Sequence, residues 1–368
     1  MNRRKFKRTG RRVPLSGSNL QLMDFSVGGT YTRTGNTFYN TSPSTLAVSN
    51  AGFRRMDART GDGAYYLSEL SRSNNALRSN AFDNASWTKT NCTVSADSTV
   101  APDGTTSADT VTVTASGVAA TVTQSIAVAG NQYWSIWAKQ GTTSQTCSIT
   151  ITDGVTTQNL DFTPTSTWTR YSVRGTGFTN PITVIVRPHS AAGTGTAGDD
   201  VIIWGAQSET GTVMSVNKTT LGVGATGGED QLIYASGQWP TYMATGRWLA
   251  VIRPCGDSTE LNLTSVLYSF GGVNDELLIL NTDQIRVVAG GVTAVTSGVL
   301  TWNKNTSRIF IYLNPVAGSI TIAGAVTGNG TTVGSAWAWP TGVTLGVGKR
   351  NTVANTAPFC RLENPVIW

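Results

Sequence analysis

The chain has little of what metal or thiol chemistry needs. Its 368 residues include one histidine and four cysteines. A single imidazole excludes a multi-histidine metal site, and no CxxC pair is present for a zinc knuckle or a redox centre. Charge is scarce as well: Asp, Glu, Lys and Arg make up 13% of the residues, about half the share of an average soluble domain. No apolar run approaches the roughly 20 residues of a membrane span, so no membrane partner is expected. The basic start is not followed by an apolar stretch and is not read as a secretory signal.

The charge that is present is concentrated in one place. The formal net charge is +6. Arg3, Arg4, Lys5, Lys7, Arg8, Arg11 and Arg12 form an acid-free basic arm over residues 1–14, closed by Pro14. Without these seven, 20 basic residues face 21 acidic ones, and a near-neutral body does not support nucleic-acid binding. The arm itself has three readings: a phosphate-binding segment, a solvated tail, or a docking element for an acidic partner surface.

Abundant Thr, Ser, Gly, Asn and Val point to an all-β protein with many turns. Residues 15–80 are turn-rich, with short β-like stretches at Thr30–Thr32 and Thr37–Tyr39, and read as a connector or docking region. From about residue 81 the pattern tightens. Val111–Thr114 and Thr121–Ile126 alternate apolar and polar residues, as half-buried strands do. Tyr133–Ala138, Ser148–Thr152, Trp168–Val173, Ile182–Val186 and Val201–Trp204 continue the series, and Asp153-Gly154 marks a hairpin. Close spacing without helix-period segments predicts a β-sandwich over 81–209. Gly222, Gly224, Gly227, Gly228 and Gly237 make 210–238 read as a linker. A second β-sandwich is expected over 239–368, from Trp248–Arg253, Ser265–Phe270, Glu276–Leu280, Gln284–Val288, Arg308–Leu313, Ser319–Ala323 and Val343–Val347. Pro365–Trp368 is expected to close it as a strand.

Few residue sets suggest chemistry. A glycosidase needs two carboxylates across a cleft. The pairs Asp199-Asp200, Glu229-Asp230 and Asp275-Glu276 are adjacent in sequence and would point to opposite faces of a strand, so they read as solvated loop carboxylates. No cofactor is expected beyond a possible structural Ca²⁺, for which Asp103 and Asp109 are the candidates. His189 has no G-x-S-x-G partner motif and reads as a surface or turn histidine. Cys92/Cys147 and Cys255/Cys360 place one pair in each sandwich; two disulfides are open to them, with buried free thiols favoured. Trp134, Trp137 and Trp204 read as core. Trp337 and Trp339 share a face if extended: exposed, they would stack on sugar rings; buried, which is favoured, they would close the second sandwich.

Five stretches, in order, resemble tailed-bacteriophage virion structural proteins of the tail-fibre or head-fibre type. Leu77–Lys89, with Phe82, Asn84, Trp87 and Lys89, is similar to a segment that opens a carbohydrate-binding-module-like sandwich in those proteins. Val100–Asp109 looks like their "APDGTTTAD", and Tyr133–Lys139, Thr167–Tyr171 and Ile202–Glu209 follow in the same order. The likeness runs over residues 25–209. The second unit is loosely similar to a concanavalin A or laminin-G-like sandwich, and residues Ser68–Ser73 depart from the usual apolar lead-in. The resemblance implies two tandem jelly-roll-type β-sandwiches behind an extended arm, and a non-enzymatic protein displayed on the virion and assembled in the host bacterial cytoplasm. It further implies docking on capsid, portal or tail subunits, a homo-oligomer (a trimer by analogy with phage fibres), and adhesion to host-surface polysaccharide. A capsid head fibre or decoration protein is the alternative, and a polysaccharide depolymerase a more distant one.

Overall fold

The computed structural model describes residues 71–211 without a break and residues 214–347 with short gaps. Beyond these it describes only strand segments and Ser44 between residues 21 and 68, and strand segments between 360 and 367. The basic arm therefore lies outside the described residues. Strand dominates throughout, and among the described residues the α-helix is a single turn, Tyr242–Thr245. No helix among them is long and apolar enough to cross a membrane.

The first sandwich is built from β1 (Thr88–Thr90), β2 (Cys92–Val100), β3 (Thr106–Val113), β4 (Thr121–Ile126) and β5 (Gly130–Gln140). These are followed by β6 (Cys147–Thr152), β7 (Thr157–Phe162), β8 (Thr169–Phe178), β9 (Ile182–Arg187) and β10 (Asp200–Thr210). One antiparallel sheet runs β8–β5–β10–β3–β2 and the other β7–β6–β9–β4–β1. Strands β3 to β10 thus follow jelly-roll order, with β2 and β1 added at the edges. Alternation explains the burial: Val122, Gln124 and Ile126 of β4 point inward while Thr121, Thr123 and Ser125 face out. The enclosed core includes Phe82, Trp87, Trp134, Ile136, Ile149, Val184 and Ile203.

The motif of residues 77–89 closes one end of this core. Phe82 and Trp87 pack with ring centroids 4.8 Å apart, and Trp87 lies 6.2 Å from Trp134. The Trp87 indole N–H donates to the Arg78 carbonyl at 3.0 Å. The Lys89 ammonium donates to the carbonyls of Asp83 and Asn84 at 2.7 and 3.0 Å, tying down the turns between them. These residues serve the fold.

The second sandwich has its own core, centred on Trp248, Tyr268, Phe270, Ile309, Trp339 and Leu345. One sheet carries Gln231–Tyr234, Leu345–Val347, Ser265–Phe270, Glu276–Ile279, Ile285–Ala289 and Val292–Thr296 side by side, with Thr30–Thr32 at its edge beside Gln231–Tyr234. In the facing sheet Trp248–Pro254 lies between Ile309–Asn314 and Cys360–Leu362, and Tyr65–Ser68 pairs on the outside of Cys360–Leu362. The terminal strand Val366–Ile367 pairs with both Trp248–Leu249 and Gln21–Leu22.

Two stretches therefore differ from their sequence reading. Residues 15–80, read as a connector, supply strands to the second sandwich, and Tyr31 and Tyr66 are buried in its core. Residues 210–238, read as a linker, contain the strand Gln231–Tyr234, whose Leu232 and Tyr234 join the same core. Such short amphipathic stretches bury little surface alone; adding them to a sheet edge pairs their backbone and covers their apolar side chains. The first sandwich is thus an insertion within the second.

The chain leaves and re-enters through one antiparallel ribbon, in which Arg72–Asn74 pairs with Ala225–Gly227. Next to it, the fully buried Asn74 amide donates to the carbonyls of Ala206 (2.8 Å) and Lys218 (2.6 Å) and accepts from the N–H groups of Ala76 and Ser208 (both 3.0 Å). A carboxylate would face two carbonyl oxygens there. Asn74→Asp is expected to destabilise the chain by at least about 3 kcal/mol, since two buried acceptors lose their donor and a charge is buried. Urea unfolding checks this; an unchanged midpoint would show that the amide is not a clamp.

Candidate functional site

The outer face of the β8–β5–β10–β3–β2 sheet is unusually apolar. Trp137 on β5, Ile202 and Trp204 on β10 and Ala108 on β3 sit there as a separate cluster. A one-residue bulge on β10 lets this face continue: Ser135 pairs with Gln207 but Trp137 with Trp204. Gly205 takes up the extra residue at φ 65°, and a Cβ there would lie 3.2 Å from Trp137 and 3.0 Å from Asn217. Glycine adopts that backbone conformation without penalty.

Two segments cover the face. Over one half lie Ser215, Asn217 and Lys218. The Arg170 guanidinium donates to Ser135 Oγ at 3.0 Å and to the Ser215 carbonyl at 2.7 Å. Lys218 and Glu209, both buried, stand 3.6 Å apart with the Ser215 hydroxyl bonded between them. Over the other half lies the hairpin formed by Thr37–Ser42 and Thr45–Ser49. Its Leu46 is buried against the tryptophans, and the Leu46 N–H donates to the Pro102 carbonyl at 2.8 Å.

The hairpin does not cover everything. Beside it opens a cleft of about 410 Å³ lined by Ser44, Thr45, Val100, Lys139, Thr167 and Trp168, among others. Trp168 is half-buried, and its indole N–H donates to the Val100 carbonyl at 3.1 Å, which fixes the ring. Ala138 pairs with Thr169, which puts Lys139 one step further along β5 and Trp168 just before β8 begins. Alternation turns Lys139 outward, since Ala138 points into the core, and Trp168 packs against the outer-face cluster. The cleft thus combines a fixed indole, a cation and the hydroxyls of Ser44, Thr45, Ser166 and Thr167. This is the chemistry of a small polar ring ligand: an apolar face to stack on and donors and acceptors at its rim.

The sequence candidates fall elsewhere. Trp337 and Trp339 are 7% and 2% exposed, so the sugar-stacking role considered for them does not fit. Trp339 stacks on Phe270 at 4.4 Å, donates to the Val288 carbonyl at 2.8 Å and packs against Trp248. Both close the second core because the segment at 335–339 crosses its open side. Trp134 is in the first core, whereas Trp137 and Trp204 are buried on the sheet's outer face.

Asp103 and Asp109 do not form one site. Asp103 lies in the exposed β2–β3 turn and accepts from Thr105 N and Oγ1 at 3.0 and 2.7 Å. Asp109 is fully buried and accepts from the N–H groups of Phe82 (2.7 Å) and Asp97 (2.9 Å). Among the described residues no group of three or more His, Cys, Asp or Glu could hold a metal ion. Cys92 and Cys147 are buried free thiols, and burial pushes the Cys147 thiol up to about 12. Cys255 lies outside the described residues.

His189 is buried rather than on the surface. It accepts from Ala120 N at 2.9 Å through Nε2 and contacts the Ser190 carbonyl at 2.8 Å through Nδ1. The Asp200 carboxylate is desolvated, which raises its pKa, but Thr142 and Thr143 donate four hydrogen bonds to it, and the net shift is below the usual carboxylate range. Glu276 is buried and Glu229-Asp230 lies outside the described residues. Lys139 and Trp168 were legible as parts of motifs but not as a site. The signal was their position, out of phase with the inward Ala138.

Neither a scan against known protein families nor a search of curated proteins finds a match. Among solved structures, the chain is similar to the N-terminal CBM22-1–CBM22-2 tandem domain of Xyn10C from Paenibacillus barcinonensis. The identity is 12% and the TM-score 0.26, over 82% of this chain and 97% of that one.

Asp109 makes a pH prediction. Burial raises its carboxyl from 3.8 to about 6, although two N–H donors oppose the shift. The folded chain then holds this proton where the unfolded chain releases it, so the stabilisation is complete below pH 4 and is lost as pH rises towards 6. The stability difference between wild type and Asp109→Asn should shift against wild type between pH 4 and pH 6 and level off above. Denaturant midpoints at each pH read it out; a flat difference would remove Asp109 as the titrating group.

Proposed function

We propose that the chain is a bacteriophage virion structural protein, displayed on the particle surface, whose first sandwich adheres to host-surface polysaccharide. The observation that carries the adhesive part is the fixed indole of Trp168, beside Lys139, in an open cleft rimmed by four hydroxyl residues. The virion part rests on the five ordered motifs of residues 77–209. In this reading the basic arm, Arg3 to Arg12, docks on capsid, portal or tail subunits, and the chain assembles as a homo-oligomer, a trimer by analogy with phage fibres. Many copies per particle would turn weak sugar contacts into firm attachment. A tail fibre or appendage is favoured, and a capsid head fibre or decoration protein is the second reading, favoured by the basic arm that could thread beneath a neighbouring subunit. A depolymerase is disfavoured because hydrolysis uses two carboxylates across the sugar, and none of the described residues lining the cleft is an Asp or Glu.

Cryo-EM of the particle tests the location: density for the chain in the tail or neck supports the appendage, density on the shell supports the decoration protein, and its absence from the particle ends the virion reading. Adhesion is tested separately, with purified surface polysaccharides. The full chain should bind at least one, and Trp168→Ala should weaken binding about tenfold, roughly 1.4 kcal/mol, measured at a temperature where circular dichroism shows the variant still folded despite the lost packing and hydrogen bond of the indole. Equal binding by the variant would remove this cleft as the site.

A further inference from the structure

We infer that the Trp168 cleft selects an acidic sugar: a pyranose ring bearing a carboxylate or another anionic substituent. The inference rests on the adhesive reading above and adds the charge of the ligand. Ten of the described residues line the cleft; among them Lys139 is the one cation and none is Asp or Glu. Lys139 is half-buried, and its ammonium has no hydrogen-bond or ion-pair partner among the described residues. Its cross-strand neighbours give it none. Ile202 pairs with it on β10, and on the other side the β5–β8 ladder ends at Ala138 and Thr169, next to Trp168. The nearest acid in sequence to the lining, Asp103, has one carboxylate oxygen held by Thr105 within its own turn.

An ammonium that lines a cleft without a counter-ion can donate a charge-assisted hydrogen bond to an anion brought to it. The same ion would lie beside an indole face, so a ligand that offers both a flat C–H face and an anion fits both groups. A neutral sugar satisfies the ring and the hydroxyls and leaves Lys139 unpaired. The cleft is also composite. Ser44 and Thr45 come from the hairpin, which Leu46 seats on the sheet, so binding requires that hairpin to be docked.

The experiment measures binding of the full chain by calorimetry to fragments of polygalacturonate, alginate, hyaluronan and chondroitin sulfate, each beside its carboxyl-reduced or desulfated counterpart. At least one acidic fragment should bind at least tenfold more tightly than its neutral counterpart. Lys139→Gln should abolish that preference, so that the acidic form binds no more tightly than its neutral counterpart, and Lys139→Arg should keep it. Trp168→Ala should weaken both forms. Preference for carboxylate over sulfate, or the reverse, identifies the anion. Equal affinity for acidic and neutral forms, with Trp168→Ala still weakening both, overturns the charge selection and leaves the adhesive reading standing. Binding of no fragment, acidic or neutral, overturns both.

Discussion

The side-chain amide of Asn74 is the point on which the two sandwiches depend. An inserted domain must leave and re-enter its host at neighbouring points, and the two crossing chains must find partners for buried backbone groups. Asn74 meets that need with two donors and two acceptors, all used, joining the incoming chain at Ala76, the last strand of the insert at Ala206 and Ser208, and the outgoing chain at Lys218. The Arg72–Asn74 ribbon with Ala225–Gly227 then sets the exit alongside the start. Further along, the N–H groups of Arg78 and Ser79 donate to the carbonyls of Leu221 and Thr220. Polar groups buried at this density are specific because each unmet partner would be costly.

The cleft follows from a second constraint, the apolar outer face of one sheet. A sandwich usually turns polar side chains to water on its outer faces, yet Trp137, Trp204 and Ile202 lie on this one. Ser215, Asn217 and Lys218, with the hairpin strands Thr37–Ser42 and Thr45–Ser49, cover much of it. What they leave open is the margin where Trp168 and Lys139 stand. The site is therefore made by incomplete coverage, and it joins residues more than 120 positions apart, from Thr45 to Trp168. Trp337 and Trp339 show the opposite outcome, with their segment laid over a core that had no other cover.

Several residues of the stretches 77–89 and 100–109 hold the sandwich together. Phe82 and Trp87 plug its end, Lys89 ties the turns beneath them, and Asp109 fastens the Phe82 segment to β3. Gln124 receives Leu77 N–H at 2.7 Å and returns a bond to the Leu77 carbonyl at 3.0 Å. Other residues of the phage-like stretches face outward instead, and Lys139 and Trp168 are the two that line the cleft together.

Many strands of both sandwiches were legible in the sequence because alternation is local: Thr121–Ile126 and Ser148–Thr152 carry their inward and outward faces in six residues or fewer, and Asp153-Gly154 marks its own turn, whereas Cys92–Val100, Thr157–Phe162 and Val292–Thr296 were not read as strands. The all-β class follows from that alone. The assignment of those strands to bodies was not legible. Tyr31 enters the second core through pairing with Leu232, and Tyr66 through pairing with Leu362, contacts spanning about 200 to 300 residues that no local period encodes. Nor does alternation tell which outward face another segment will cover. Trp137, Trp168, Trp337 and Trp339 look alike in sequence, and packing from distant parts of the chain decided that only Trp168 keeps a face towards an open cleft.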